Sequence, residues 1–120
     1  MQIALHHVQL AAPPECEEVA RSFYGGLLGL EELPKPEGLR GRGGVWFRCG
    51  AHEIHIGVEQ DFRPARKAHP AFLVDDLDGL RERLERSGVS VREDVPLPGY
   101  RRFHASDPFG NRLEFLQALG

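Results

Sequence analysis

The chain has 120 residues, 41% hydrophobic and 28% charged, with a formal net charge of -3, which is enough for one domain's core and not for two. That balance excludes binding to nucleic acid through a basic surface and excludes an acidic disordered tail. No apolar run approaches the roughly 20 residues of a membrane span, and the N-terminus does not read as a secretory signal.

Residues 3–11 alternate as a strand, with Val8 and Leu10 on one face and Leu5, His7 and Gln9 on the other. His6 points away from His7 in that pattern and reads as structural. Pro13-Pro14 ends the strand and sets up a helix, with Glu15, Glu17 and Glu18 where the helix dipole favours carboxylates. Its buried stripe is expected at Val19, Phe23 and Leu27, and Gly29 is its stop. Glu31 to Pro36 is expected as a short edge strand and Pro36–Gly44 as a mobile loop. Val45–Cys49 and Glu53–Val58 are strands joined by a tight turn at Gly50-Ala51, with Ile54, Ile56 and Val58 opposite His55.

The pattern then restarts. His69–Val74 is a strand with Phe72 and Val74 on one face. Asp75-Asp76 caps a helix through Leu77, Leu80 and Leu84, stopped by Gly88. Strands follow at Val89–Glu93 and Tyr100–Ser106, with Phe103 and Ala105 opposite Arg102 and His104. A turn at residues 107–111 leads into a last strand, where Leu113 and Phe115 lie opposite Glu114. The fold class is therefore α+β: one module over about residues 1–59, a linker over about 60–68, and a second module over about 69–120. Arg40, Arg42, Arg63 and Arg66 read as solvated. Cys16 and Cys49, with no CxxC, read as free thiols of a reducing, cytoplasmic setting.

His7 and His55 are 48 residues apart, and His69 and Glu114 are 45 apart. In each module the first and last strands thus carry one ionisable group opposite an apolar pair. The apolar pairs pack under the helices, so His7, His55, His69 and Glu114 are expected to project toward a shared concavity. A buried carboxylate without a partner is costly. One divalent cation resolves the conflict, and the imidazole–carboxylate set suits Zn, Ni, Mn, Fe or Co. His104 and Arg102 lie on the neighbouring strand and would contact an oxygen-rich ligand. Either Trp46 or Phe47 must face the concave side, and Trp46 is assigned to the substrate.

Four segments carry a resemblance: residues 7–10 (HVQL), 23–30 (FYGGLLGL), 69–77 (HPAFLVDDL) and 107–115 (DPFGNRLEF). With them the chain resembles the glyoxalase/bleomycin resistance protein/dioxygenase superfamily, also called vicinal oxygen chelate proteins. The resemblance implies two paired βαβββ modules forming a cupped mixed sheet with helices on its outer face. It also implies a homodimer, and ligands from the first and last strands of each module, at positions matching His7, His55, His69 and Glu114. His104 falls ten residues before Glu114, where fosfomycin-directed thiol transferases of the superfamily carry a substrate-contacting tyrosine. Glyoxalase-like isomerases have a carboxylate or amide where this chain has His55, which leaves Glu114 as the catalytic base. The implied function is a divalent-metal-dependent lyase/isomerase or thiol transferase acting on a small substrate with vicinal oxygens. The alternatives are a non-catalytic, antibiotic-sequestering protein and a small extradiol-type dioxygenase.

Overall fold

The computed structural model describes residues 1–120. The chain divides into two compact units, Met1–Pro64 and Ala65–Gly120.

Unit 1 runs β1 (His7–Ala12), α1 (Glu17–Ala20) continuing as a π-helix (Arg21–Leu27), β2 (Glu32–Leu33), a 3-10 helix (Glu37–Arg42), β3 (Val45–Cys49) and β4 (His52–Val58). Its sheet has the order β1-β4-β3-β2, with β1 parallel to β4 and the other pairs antiparallel. The first strand starts later than the alternation at residues 3–11 predicts. In the register His7 faces Glu53, one residue inside the start of β4, so the chain before His6 has no strand to pair with. Ile3 and Leu5 are accordingly exposed.

The first helix buries Cys16, Ala20, Phe23 and Tyr24, whereas Val19 of the expected stripe is 46% exposed. The reason is the switch to i→i+5 bonding, seen in the bond from Leu28 N–H to the Phe23 carbonyl at 2.9 Å. A widened turn shifts the buried face and lets two consecutive rings, Phe23 and Tyr24, enter the core. Gly25-Gly26 lies inside this stretch, where α-helix propensity is weakest. Tyr24 then packs on Phe47 of β3, with ring centroids 5.8 Å apart.

The stretch 36–44, expected as a mobile loop, is held. Leu39 N–H bonds the Pro36 carbonyl at 2.9 Å, Lys35 Nζ donates to the Gly43 carbonyl, and Gly44 N–H donates to Glu17 Oε2 at 2.7 Å. That last bond holds the Glu17 carboxyl below the usual carboxylate range. Between its folded and unfolded pKa the unfolded chain binds more protons, so stability rises with pH there. The contribution is complete above the unfolded value and disappears as pH falls through the folded one. Urea melts of the wild type and Glu17→Gln should therefore differ more at pH 7 than at pH 3. An equal gap at both would show that the charge contributes nothing.

Unit 2 runs β5 (Ala71–Leu73), α2 (Leu77–Arg86), β6 (Val91–Glu93), β7 (Tyr100–Ser106) and β8 (Arg112–Ala118). Its sheet order, β5-β8-β7-β6, repeats that of unit 1, again with the first strand parallel to the last. Both observed outer strands are shorter than the expected 69–74 and 89–93. Pro70 has no N–H to give a ladder, but its carbonyl still accepts from Glu114 N–H at 3.1 Å, and Val74 N–H reaches the Leu116 carbonyl at 2.8 Å. Asp76 caps α2 by accepting from Gly79 N–H at 3.0 Å. Leu77 N–H, another free donor of the first turn, is taken by Gln117 Oε1 of β8 at 2.8 Å. Leu77 and Leu84 of α2 are buried, as are Phe72, Phe103, Leu113 and Phe115 of the sheet. The turn at 107–111 is fixed by Asp107, whose Oδ1 accepts from the N–H groups of Phe109 and Asn111 at 2.9 and 2.8 Å.

No helix is long and apolar enough to cross a membrane. Both thiols are free, and burial pushes both upward, away from the reactive thiolate form.

Candidate functional site

In unit 2, β5, β8 and β7 lie side by side, and Ala71, Glu114 and His104 are in register across them. Directly opposed residues share a face, so Glu114 and His104 project together. The opposite face carries Phe115 and Phe103, whose rings pack 5.4 Å apart. Both Glu114 and His104 are buried, at 6% and 3% exposure. His69, just ahead of β5, brings Nε2 to 2.9 Å from Glu114 Oε1. Arg102 donates from Nη1 to Glu114 Oε2 at 3.2 Å and from Nε to the Val95 carbonyl at 2.9 Å. His104 Nε2 lies 4.0 Å from Glu114 Oε1. One ligand atom each from His69, His104 and Glu114 falls within 4.8 Å of the others.

Burial by itself would push the Glu114 carboxyl up. The hydrogen bonds from His69 and Arg102, with the charge of Arg102, outweigh it and hold the group below the usual carboxylate range. His104 is held below its ordinary value, first by burial and then by the adjacent Arg112 guanidinium.

Unit 1 gathers a different set. Gln9, His55 and Trp46 are in register across β1, β4 and β3. The His55 ring lies between two others. His7 stacks on it at 4.1 Å and 15°, and Trp46 at 3.9 Å and 5°. His55 is buried at 4% exposure, and its Nε2 is 2.9 Å from Glu53 Oε1. His6 does not point away from His7 as alternation predicts. It precedes β1, and the two Nδ1 atoms are 2.9 Å apart.

The residues assigned from the sequence thus form two groups. His69, Glu114, His104 and Arg102 meet in unit 2; His7, His55 and Trp46 meet in unit 1. Three contacting residues escaped the sequence reading: Glu53, Asp94 and Arg112. Alternation along β8 puts Arg112 on the face of Glu114, so its signal was present. Asp94 sits in a loop after β6 and carried none.

The donor chemistry of the unit 2 group fits a cation. Nδ1 of His69 is 2.8 Å from the Lys67 carbonyl oxygen. A carbonyl only accepts, so that nitrogen carries the proton. Metal-bound histidines are typically oriented by such a bond from the second nitrogen. The neutral ring would then aim the lone pair of Nε2 at a carboxylate oxygen 2.9 Å away. Two acceptors at that distance need something positive shared between them: a second proton on the ring, or a metal ion.

A model of the Glyoxalase/Bleomycin resistance protein/Dioxygenase superfamily matches residues 4–115. The chain belongs to this superfamily. It is 53% identical to a glyoxalase family protein from Bacillus anthracis, with 99% of this chain and 98% of that one covered at a TM-score of 0.94. Lactoylglutathione lyase from Agrobacterium tumefaciens is 24% identical, with 97% and 94% covered at a TM-score of 0.73. The fosfomycin resistance protein FosX from Listeria monocytogenes, in complex with Mn(II) and 1S,2S-dihydroxypropylphosphonic acid, is 20% identical, with 99% and 95% covered at a TM-score of 0.81. A comparison with curated protein sequences gave no match. Two four-stranded mixed sheets with helices are the fold this chain shares with these structures, one of which holds Mn(II).

Proposed function

We propose that this superfamily member is a divalent-metal-dependent enzyme of the lyase/isomerase or thiol-transferase class, acting on a small substrate with two neighbouring oxygens. The carrying observation is the approach of His69 Nε2 to Glu114 Oε1 at 2.9 Å, with Nδ1 of the same histidine committed to a carbonyl. His69 and Glu114 are the ligands this reading rests on. The lactoylglutathione lyase among the similar structures supports the lyase class, and the Mn(II) held by FosX supports a divalent metal. When bound, the ion supplies Lewis-acid polarisation of substrate oxygens.

The chain's own groups supply the rest. Arg102 neutralises Glu114 and keeps a cationic edge beside it. Glu114 as it stands is a weak base, because His69 and Arg102 hold its proton affinity down. Were it to leave those partners, burial would raise that affinity, which is how a carboxylate becomes able to take a proton from carbon. His104 faces the same carboxylate and is placed to meet a substrate oxygen.

The decisive experiment is calorimetric titration of the purified apo protein with Mn(II) and Zn(II) in buffers of different ionisation enthalpy. One ion should bind per chain and displace a proton, since the ion takes the place of the shared proton. Absence of stoichiometric binding would overturn the reading. The same titration of His7→Ala and His55→Ala tests the ligands expected in unit 1; a loss of affinity adds either residue to the set. Substrate screens then pair the metal-loaded protein with 2-oxo thiol adducts, and with a thiol plus an electrophile. The homodimer and the cytoplasmic setting belong to this proposal, and light scattering tests the first.

The ring stack in unit 1 favours a second reading, in which a flat ligand is held without turnover. Trp46 is only partly buried and extends a planar surface. Thermal stabilisation by a planar cationic drug, unaffected by chelator and absent in Trp46→Ala, would support it over the enzyme.

A further inference from the structure

His69 and His104 face one carboxylate, and their second ring nitrogens rest on opposite kinds of partner. Nδ1 of His69 meets the Lys67 carbonyl oxygen at 2.8 Å. Nδ1 of His104 meets Nε of Arg112 at 3.3 Å. A carbonyl oxygen only accepts, and a guanidinium only donates. The first contact puts a proton on Nδ1 of His69. The second requires a bare Nδ1 on His104, whose ring must then be neutral with its one proton on Nε2.

We propose that Arg112 is a positioning residue that fixes this tautomer, so that His104 presents an N–H to a ligand oxygen and stays out of the metal's ligand set. Register makes the contact possible. Arg112 stands opposite Ser106, two residues along from Glu114 on β8 and two from His104 on β7. The consequence is visible at the other end of the ring. Nε2 of His104 is buried and has no hydrogen-bond partner. Asp94 Oδ2 is 3.1 Å away, within ion-pair range but without hydrogen-bond alignment, and Glu114 Oε1 at 4.0 Å is too far. A buried donor left unmet is expensive, and an oxygen-bearing ligand would meet it. Ligation of a metal through Nε2 would require moving the proton to Nδ1, against the Arg112 N–H, donor against donor. The three-residue cluster therefore divides into two ligands and one hydrogen-bond donor.

The second half of this inference rests on the reading of His69 and Glu114 as metal ligands; the tautomer does not. Nitrogen NMR of protein labelled with 15N-histidine separates them, because protonated, bare and metal-bound ring nitrogens resonate apart. His104→Gln identifies the His104 signals. In the metal-free wild type at neutral pH, His104 should show a protonated Nε2 and a bare Nδ1. Arg112→Met should turn it into a mixture of tautomers. Arg112→Lys, which keeps a cationic donor, should restore most of the Nε2–H form. Added Zn(II) alone should move Nε2 of His69 to the metal-bound position and leave both His104 nitrogens in their classes. A proton on Nδ1 of His104 in the wild type would overturn the proposal, as would an unchanged spectrum in Arg112→Met or a metal-bound Nε2 on His104. Should Arg112→Met fail to fold, the wild type and Arg112→Lys spectra decide. If Zn(II) does not bind, the metalloenzyme reading fails and the tautomer result stands by itself.

Discussion

Gly44→Ala should destabilise unit 1 by about 3–5 kcal/mol, at the upper end of what single substitutions do. Gly44 has a φ of 88°, and a β-carbon built there would lie 2.1 Å from the Ile56 carbonyl oxygen. The left-handed backbone alone accounts for roughly 1–3 kcal/mol. The overlap adds more, because the opposing atom is backbone of β4 and does not swing away as a side chain would. Relief would require β3 to part from β4, and the bond from Gly44 N–H to Glu17 would go with it. A domain of this size has only about 5–15 kcal/mol in hand. Gly50→Ala is the control. Its φ of 59° is also left-handed, yet nothing lies within 4 Å of the added carbon, so its loss should stay near 1 kcal/mol. Urea melts of the two variants measure the difference; equal losses would show that the close approach to Ile56 is not what fixes Gly44.

Glu114→Gln should lower the affinity for Mn(II) more than about 100-fold, beyond the 10–100-fold that loss of an outer partner typically brings. The substitution keeps the shape and removes the charge. Glu114 is 6% exposed, so little solvent screens that charge. Arg102 would lose its ionic partner and leave positive charge beside the incoming ion. His104→Gln is the informative companion. If His104 is a hydrogen-bond donor and not a ligand, its affinity for Mn(II) should stay within a few-fold of the wild type. Calorimetric titration of the three proteins separates these cases, and an unchanged affinity in Glu114→Gln would strike Glu114 from the ligand set.

Much of this arrangement is legible in the residues. Period-two alternation places Glu114 and His104 on one face and Leu113, Phe115 and Phe103 on the other, and the register confirms it. The duplication is also readable, while the parallel pairing of first and last strands in both units comes from the structure. Alternation fails at His6, which precedes β1 and brings its Nδ1 to 2.9 Å from Nδ1 of His7. It fails again in the first helix, because the stripe at Val19, Phe23 and Leu27 presumes 3.6 residues per turn and the chain there widens to i→i+5. Glycine content suggested mobility over 36–44, but Glu17 and Lys35 reach that stretch from outside it. Asp94 was invisible because loop geometry, not a repeating pattern, carries it to His104.

In both units the opening strand bonds to the final one. Local hairpins, β3 with β4 and β7 with β8, can zip up early, because their partners are near in the chain. The opening strand must wait for the slowest closure, and His69 is 45 residues from Glu114. A partly folded chain therefore owns a helix and hairpins but not the His69–Glu114 pair. With the pair finished last, a cation bound there would reward only molecules that have completed the closure, and under the proposed function a metal ion added during refolding should act on the final step and leave the early ones unchanged.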